Sequence, residues 1–268
     1  MIVRALMTVI LLLSLLLALP LFASAQEIDC LKCHAKLKKE KVVHAALDMG
    51  CPSCHSAIDA RKVPHKKTSS IDKGLSAAQP ELCYGCHDKA LFTKKTVHAA
   101  VGMGCTSCHN PHSSKNAKLL ISEVPDLCLS CHDKAAFNKK TVHAPVAGGM
   151  CLSCHSPHST DEMSLLLKKP LATCLECHPD VPNKPHAVAG ISSKRHPLGM
   201  PKPEKKKAKQ TKDQTATPKP PEEVKDPARP DKPFYCGSCH DPHSSTGPKL
   251  FKFNAQSAMG LCKNCHKM

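Results

Sequence analysis

One long apolar run stands in this chain, Ala5 to Phe22, and no strand-like alternation of useful length follows it. Beyond Phe22 the apolar residues come in short groups, broken by Cys, His, Lys and Pro, which predicts short helices joined by coil and little or no β-sheet. The Pro-His pairs Pro111-His112, Pro157-His158 and Pro242-His243 predict chain turns. Arg4 precedes the apolar run and Ala23-Ser24-Ala25 closes it with small residues. Residues 1–25 therefore read as a secretory signal, with the mature chain starting at Gln26. The run is long for such a signal, so an uncleaved membrane anchor is the alternative. No cysteine follows the cleavage point directly, and lipoprotein processing is not expected. After cleavage no membrane span remains.

The polar residues are more orderly than the apolar ones. Eighteen cysteines fill nine Cys-x-x-Cys-His motifs with none left over. The motifs are Cys30–Cys33–His34, Cys51–Cys54–His55, Cys83–Cys86–His87, Cys105–Cys108–His109 and Cys128–Cys131–His132, followed by Cys151–Cys154–His155, Cys174–Cys177–His178, Cys236–Cys239–His240 and Cys262–Cys265–His266. This is the signature for covalent attachment of haem c, with the two thiols as thioethers and the histidine as proximal iron ligand. A disulfide framework would need no histidine after each pair. Zinc ribbons would use the paired cysteines but leave the nine histidines unexplained. A thioredoxin-like motif occurs once in a βαβ setting, not nine times.

Nine further histidines remain: His44, His65, His98, His112, His143, His158, His186, His196 and His243. They match nine haems one for one, the count needed for bis-histidine ligation throughout. Such ligation closes the irons to small molecules and favours electron transfer over catalysis. Met49, Met103 and Met150 recur just before second motifs and read as packing against haem faces rather than as ligands.

An internal repeat of 45–46 residues separates Cys83 from Cys128 and Cys128 from Cys174. Lys94-Lys95-Thr96-Val97-His98-Ala99 matches Lys139-Lys140-Thr141-Val142-His143-Ala144. Each unit carries two motifs, one histidine ahead of the second motif and one three residues after its proximal histidine, except that unit one has Ile58 at that last position and His65 as the nearest substitute. The expected division is a first dihaem unit over 26–80, a second over 81–125 and a third over 126–170. The first half of a fourth spans 171–196, and 234–268 holds its second half with a ninth haem. His186 is left by counting for that ninth haem. A histidine three residues after a proximal histidine cannot easily reach the same iron's far face, so it should serve a neighbouring haem. Residues 197–233 are rich in Pro and Lys, hold no Cys or His, and are expected to be disordered or an extended linker.

Composition changes the picture of the core. The chain has no Trp, two Tyr and six Phe. So few aromatics cannot build an ordinary core, and the haems must supply it; folding should then depend on haem insertion. The net charge of +16 invites a nucleic-acid reading. Two propionates per haem would cancel most of it, and no aromatic-basic interleaving appears, so no nucleic-acid partner is expected.

Cys-x-x-Cys-His-x-Pro-His-Ser appears at Cys105 to Ser113, Cys151 to Ser159 and Cys236 to Ser244. With the Leu-Cys-x-x-Cys-His elements before the first two, the chain resembles the doubled-CXXCH multihaem cytochromes c over nearly all of its mature length. The resemblance implies short helices and coil wrapped around stacked haems. It also implies a periplasmic or extracellular carrier, or a component of an electron conduit, in anaerobic respiration. Partners would be a quinol-oxidising cytochrome upstream and an outer-membrane conduit or terminal reductase downstream. The alternatives are a multihaem reductase with one open-coordinated haem, reached if His65 or His186 fails to ligate, and a subunit of an extracellular cytochrome filament.

Overall fold

The structure, a computed structural model, describes residues 28–181 and 225–268. Residues 1–25, expected to be a secretory signal, and the greater part of 197–233 lie outside the described residues, as do His186 and His196. Among the described residues no helix is long and apolar enough to cross a membrane.

Each Cys-x-x-Cys-His motif closes one helical turn. In all nine, the histidine amide donates to the carbonyl of the first cysteine, at 2.9 to 3.1 Å. The turns are the short helices Leu31–His34, Glu81–Tyr84, Asp126–Leu129, Pro170–Leu175, Cys236–Cys239 and Ala258–Cys262, with 3-10 turns at Cys51–Ser53, Cys105–Ser107 and Cys151–Ser153. None exceeds six residues, because a glycine, a proline or the next polar cluster interrupts every run.

Among the described residues ten short strands make five two-stranded sheets: β1 (Val42–Val43), β2 (Ile58–Asp59), β3 (Lys66–Lys67), β4 (Thr96–Val97), β5 (Ser113–Ser114), β6 (Thr141–Val142), β7 (Ser159–Thr160), β8 (Lys225–Asp226), β9 (Arg229–Pro233) and β10 (Ser244–Ser245). Three sheets join consecutive units. β1 pairs with β5, β4 with β7 and β6 with β10, all antiparallel. In each, the strand before a second motif reaches forward to the strand after the next unit's second motif. The other two sheets are hairpins, β2 with β3 and β8 with β9.

The exchanged strands are held by small hydroxyls instead of apolar packing. Ser113, Ser114, Ser159, Thr160, Ser244 and Ser245 are all buried. Ser159 Oγ donates to the Leu91 carbonyl at 2.8 Å and Ser244 Oγ to the Ala136 carbonyl at 2.8 Å, each tying one unit to the one before. Ser114, Thr160 and Ser245 donate to the carbonyls of Leu120, Leu166 and Phe251 within their own units. A buried hydroxyl is tolerated only when bonded, and these six positions therefore fix register.

The tail of the Pro/Lys-rich stretch corrects the expectation for 197–233. Residues 225–233 form the hairpin β8–β9 rather than a linker. Its anchor is electrostatic. Asp226 is 1% exposed and accepts from Arg229 Nε at 2.9 Å and Nη2 at 2.6 Å. Arg229 Nη2 also donates to the Gly237 carbonyl at 2.8 Å, locking the hairpin to the Cys236 motif. Burial raises the Asp226 carboxyl, but hydrogen bonds from Arg229, Ser238 and the Ala228 amide outweigh it and hold the pKa below the usual range. Polar composition concealed this, because the buried element is an ion pair and not an apolar cluster.

Among the described residues only Phe251, Ala255 and Leu261 are buried hydrophobics. Met49, Met103, Met150, Val43, Val97, Ile121 and Leu167 are exposed on the polypeptide. Three side chains cannot offset the conformational entropy of a domain this size. Protein produced without haem should therefore lack fixed structure. Circular dichroism across preparations of graded haem content should lose signal in proportion; a fully folded apo chain would contradict this. Arg229→Ala should cost about 3 kcal/mol by stranding a buried carboxylate, and Asp226→Leu/Arg229→Met should recover most of it in thermal unfolding.

Candidate haem-binding site

Seven proximal histidines each face one of the further histidines. The ring centroids are 5.9 Å apart for His34 and His65, 6.1 Å for His44 and His87, and 6.1 Å for His55 and His112. They are 6.0 Å for His98 and His132, 5.9 Å for His109 and His158, 6.2 Å for His143 and His178, and 5.9 Å for His155 and His243. An imidazole nitrogen binds a first-row metal at about 2 Å, so two rings across one ion stand with centroids about 6 Å apart. The residues thus fit an iron between each pair, with a Cys-x-x-Cys element beside it for thioether attachment.

The pairs cross unit boundaries in two ways. The histidine ahead of a second motif faces the first proximal histidine of the next unit, as His44 faces His87, His98 faces His132 and His143 faces His178. The histidine after a second motif faces the second proximal histidine of the unit before, as His112 faces His55, His158 faces His109 and His243 faces His155. The first motif has no unit before it, and His65, in the loop of the β2–β3 hairpin, stands opposite His34. His240 and His266 are described, but their candidate partners His186 and His196 are not.

Backbone carbonyls orient one imidazole in each pair. His44, His98 and His143 donate from Nδ1 to the carbonyls of Pro111, Pro157 and Pro242, at 2.8, 2.9 and 2.9 Å. His65 does the same to Lys62 at 2.8 Å. In the second motifs it is the proximal ring that donates. His55, His109, His155 and His240 bond the carbonyls of Lys73, Lys118, Ser164 and Lys249, at 3.0, 2.8, 2.9 and 2.7 Å. A carbonyl can only accept, so Nδ1 carries the proton and Nε2 keeps its lone pair for metal.

Those four carbonyls come from strained loops. Lys73, Lys118, Ser164 and Lys249 have φ of 54°, 56°, 53° and 52°. Leu119, Leu165 and Leu250 follow at positive φ as well, and unit one has Gly74 there, where a Cβ would lie 2.0 Å from Ile58 Cγ2. The left-handed region costs a residue with a side chain about 1–2 kcal/mol. The closing bonds offset it: Asn110, Ser156 and Asp241 amides donate back to Leu119, Leu165 and Leu250 at 2.7 to 2.8 Å. Neither the loops nor the buried hydroxyls were recognised from sequence. Their one signal is spacing, since Lys118, Ser164 and Lys249 each lie nine residues after their proximal histidine.

Among the described residues no carbonyl bonds Nδ1 of His112, His158 or His243; all three sit half-buried, and burial first, then the facing histidines, lowers the pKa of each. The shift favours the neutral form, which a metal ligand must have.

The cysteines follow chain order. The thiols of Cys30 and Cys51, Cys83 and Cys105, Cys128 and Cys151, and Cys174 and Cys236 are neighbours close enough to perturb one another's ionisation. Burial and then the Cys105 thiol push Cys83 up to about 11. Cys54, Cys108 and Cys239 in turn adjoin the first motif of the following unit or half unit. No cysteine is in a disulfide. Among the described residues no three His, Cys, Asp or Glu side chains converge on one point.

Residues 44–91, 98–137, 143–183 and 227–268 match the family described as the doubled CXXCH motif, covering more than half of the chain. No match is found among curated proteins. The matched stretches are offset from the units drawn from the cysteine spacing. Three of them open at or beside a donor histidine and run through the first motif of the next unit, so each holds one whole facing pair: His44 with His87, His98 with His132, His143 with His178. The motifs, the short turns around them and these matches place the chain in the doubled-CXXCH family of multihaem c-type cytochromes, which bind haem c covalently and transfer electrons.

Proposed function

We propose that this protein carries electrons through nine covalently attached haems, all of them bis-histidine and low-spin. Covalent haem supplies reversible one-electron iron chemistry when bound. The polypeptide supplies attachment, ligation and order. The observation that carries the reading is the set of seven facing histidine pairs at about 6 Å, each joining two consecutive units or, in unit one, the motif and its own hairpin. Two ligands per iron leave no open coordination position for a substrate at those seven sites. The same count extends to His240 and His266 through His186 and His196. By the forward pattern of His44, His98 and His143, His196 serves His266 and His186 is left for His240, which revises the count-based expectation that His186 serves the ninth haem.

The apolar leader and the family's usual export support a periplasmic or extracellular setting. Redox proteins are the partners: a quinol-oxidising cytochrome as donor, and an outer-membrane conduit or terminal reductase as acceptor. Carbonyl-bound Nδ1 protons make the imidazoles stronger donors, which favours the ferric state and low potentials. Attachment points that adjoin in chain order support sequential transfer from one end of the sequence to the other.

Low-temperature EPR of the oxidised holoprotein, with nine haems per chain established by mass, should contain only low-spin ferric signals. A stoichiometric high-spin signal would instead make the protein a reductase with an open haem. His112→Ala should open one iron of nine, and that iron should be the one bound by His55. Removing Cys51 and Cys54 in the same variant should therefore abolish the high-spin signal. If removing Cys105 and Cys108 abolishes it instead, ligation within units is correct and ligation between them is not.

A further inference from the structure

Three second-motif pairs differ in one respect. The rings of His55 and His112 are nearly parallel, at 11°. Those of His109 and His158 are turned by 32°, and those of His155 and His243 by 30°. The turned rings each meet a phenylalanine. Phe92 lies 4.7 Å from His158 with planes at 56°, and Phe137 lies 5.1 Å from His243, edge-on at 66°. Unit one has Lys38 at the corresponding place, six residues before its donor histidine, and Lys38 points to Asp48 at 3.1 Å instead.

The phenylalanines are delivered by a built turn. Asp88 and Asp133 cap the 3-10 turns Lys89–Leu91 and Lys134–Ala136, accepting from the Ala90 and Ala135 amides at 2.9 Å. Phe92 and Phe137 end those turns. The residue before each phenylalanine accepts the hydroxyl of Ser159 or Ser244, and that serine directly follows the histidine in question. Ring and imidazole are thus fixed to one clamp. Among the described residues no carbonyl bonds Nδ1 of His158 or His243, and besides its facing histidine each ring meets one aromatic side chain, Phe92 or Phe137.

We infer that Phe92 and Phe137 are positioning residues that set the rotation of His158 and His243 about their bonds to iron, giving the chain two electronically distinct haems among its second-motif sites. The inference rests on the bis-histidine reading above. An axial imidazole donates π density from the orbital normal to its ring. Parallel rings act on one iron d orbital; rings turned apart act on both, so the splitting narrows and the largest g value rises.

The test is EPR of the intact holoprotein. Phe92→Leu/Phe137→Leu should move two-ninths of the low-spin intensity to a smaller largest g value, with haem content unchanged. Phe92→Tyr/Phe137→Tyr, which keeps the rings, should match the wild type. Lys38→Phe should move one-ninth in the opposite direction. A high-spin component in the leucine variant, absent from the tyrosine variant, would also support positioning, since the imidazole would then have left the iron. Leucine and Lys38→Phe variants superimposable on a wholly low-spin wild type would overturn the inference while leaving the ligation intact. A high-spin wild type would overturn the ligation itself.

Discussion

The facing histidine pair is the constraint on which the rest of this structure depends. Its two rings come from segments 31 to 88 residues apart, and in six of the seven pairs from different units. Two imidazoles must meet across about 6 Å with their Nε2 atoms inward, although almost no apolar packing is present to hold them there. The polypeptide meets this need with directional bonds. A two-residue strand sets the distance between units, a buried hydroxyl sets the register, and a carbonyl sets the ring. The fold is therefore a scaffold for ligand geometry, and its own stability without the metal groups is slight.

That order of dependence explains the strained loops. Lys118, Ser164 and Lys249 accept a left-handed backbone because the carbonyl they turn inward is the partner of a proximal imidazole. Strain held at a functional site is offset by the surroundings. Here the surroundings are the Ser114, Thr160 and Ser245 hydroxyls, each of which bonds the carbonyl that ends the same loop. The same three-part device appears three times with different side chains, Lys, Ser and Lys, at the strained position. The conformation belongs to the loop and its partners, not to the residue type.

The motifs, the short turns and the set of donor histidines were legible in the sequence, because cysteine spacing and the Thr-Val-His and Pro-His-Ser repeats are local patterns. The reach of His112 to a neighbouring site was legible as a steric argument. Which site it faces was not, since a two-residue strand such as Val42–Val43 carries no alternation that could announce its partner. The divisions drawn from Cys30 onward also differ in register from the family matches, which begin at His44. The first motif precedes the first complete match, and only the β2–β3 hairpin with His65 explains how it obtains a facing ring. The hairpin at 225–233 was hidden by composition. A segment of Lys, Asp, Pro and Arg reads as solvated until Asp226 is seen buried against a partly exposed Arg229.

The two hairpins also bear on how the array ends. Elsewhere each unit lends a strand forward and receives one from behind, an arrangement that would leave an unpaired strand at either end. Unpaired edges invite other chains. At the first unit, Ile58–Asp59 occupies the place of β5, β7 and β10 and pairs with Lys66–Lys67 of its own loop. Ahead of Cys236, Arg229–Pro233 folds back on Lys225–Asp226, whereas the residues just before His196, which correspond to β1, β4 and β6, lie outside the described residues. Terminal repeats of stacked proteins commonly need such caps. At the first unit the place where strand exchange between copies would begin is filled from within.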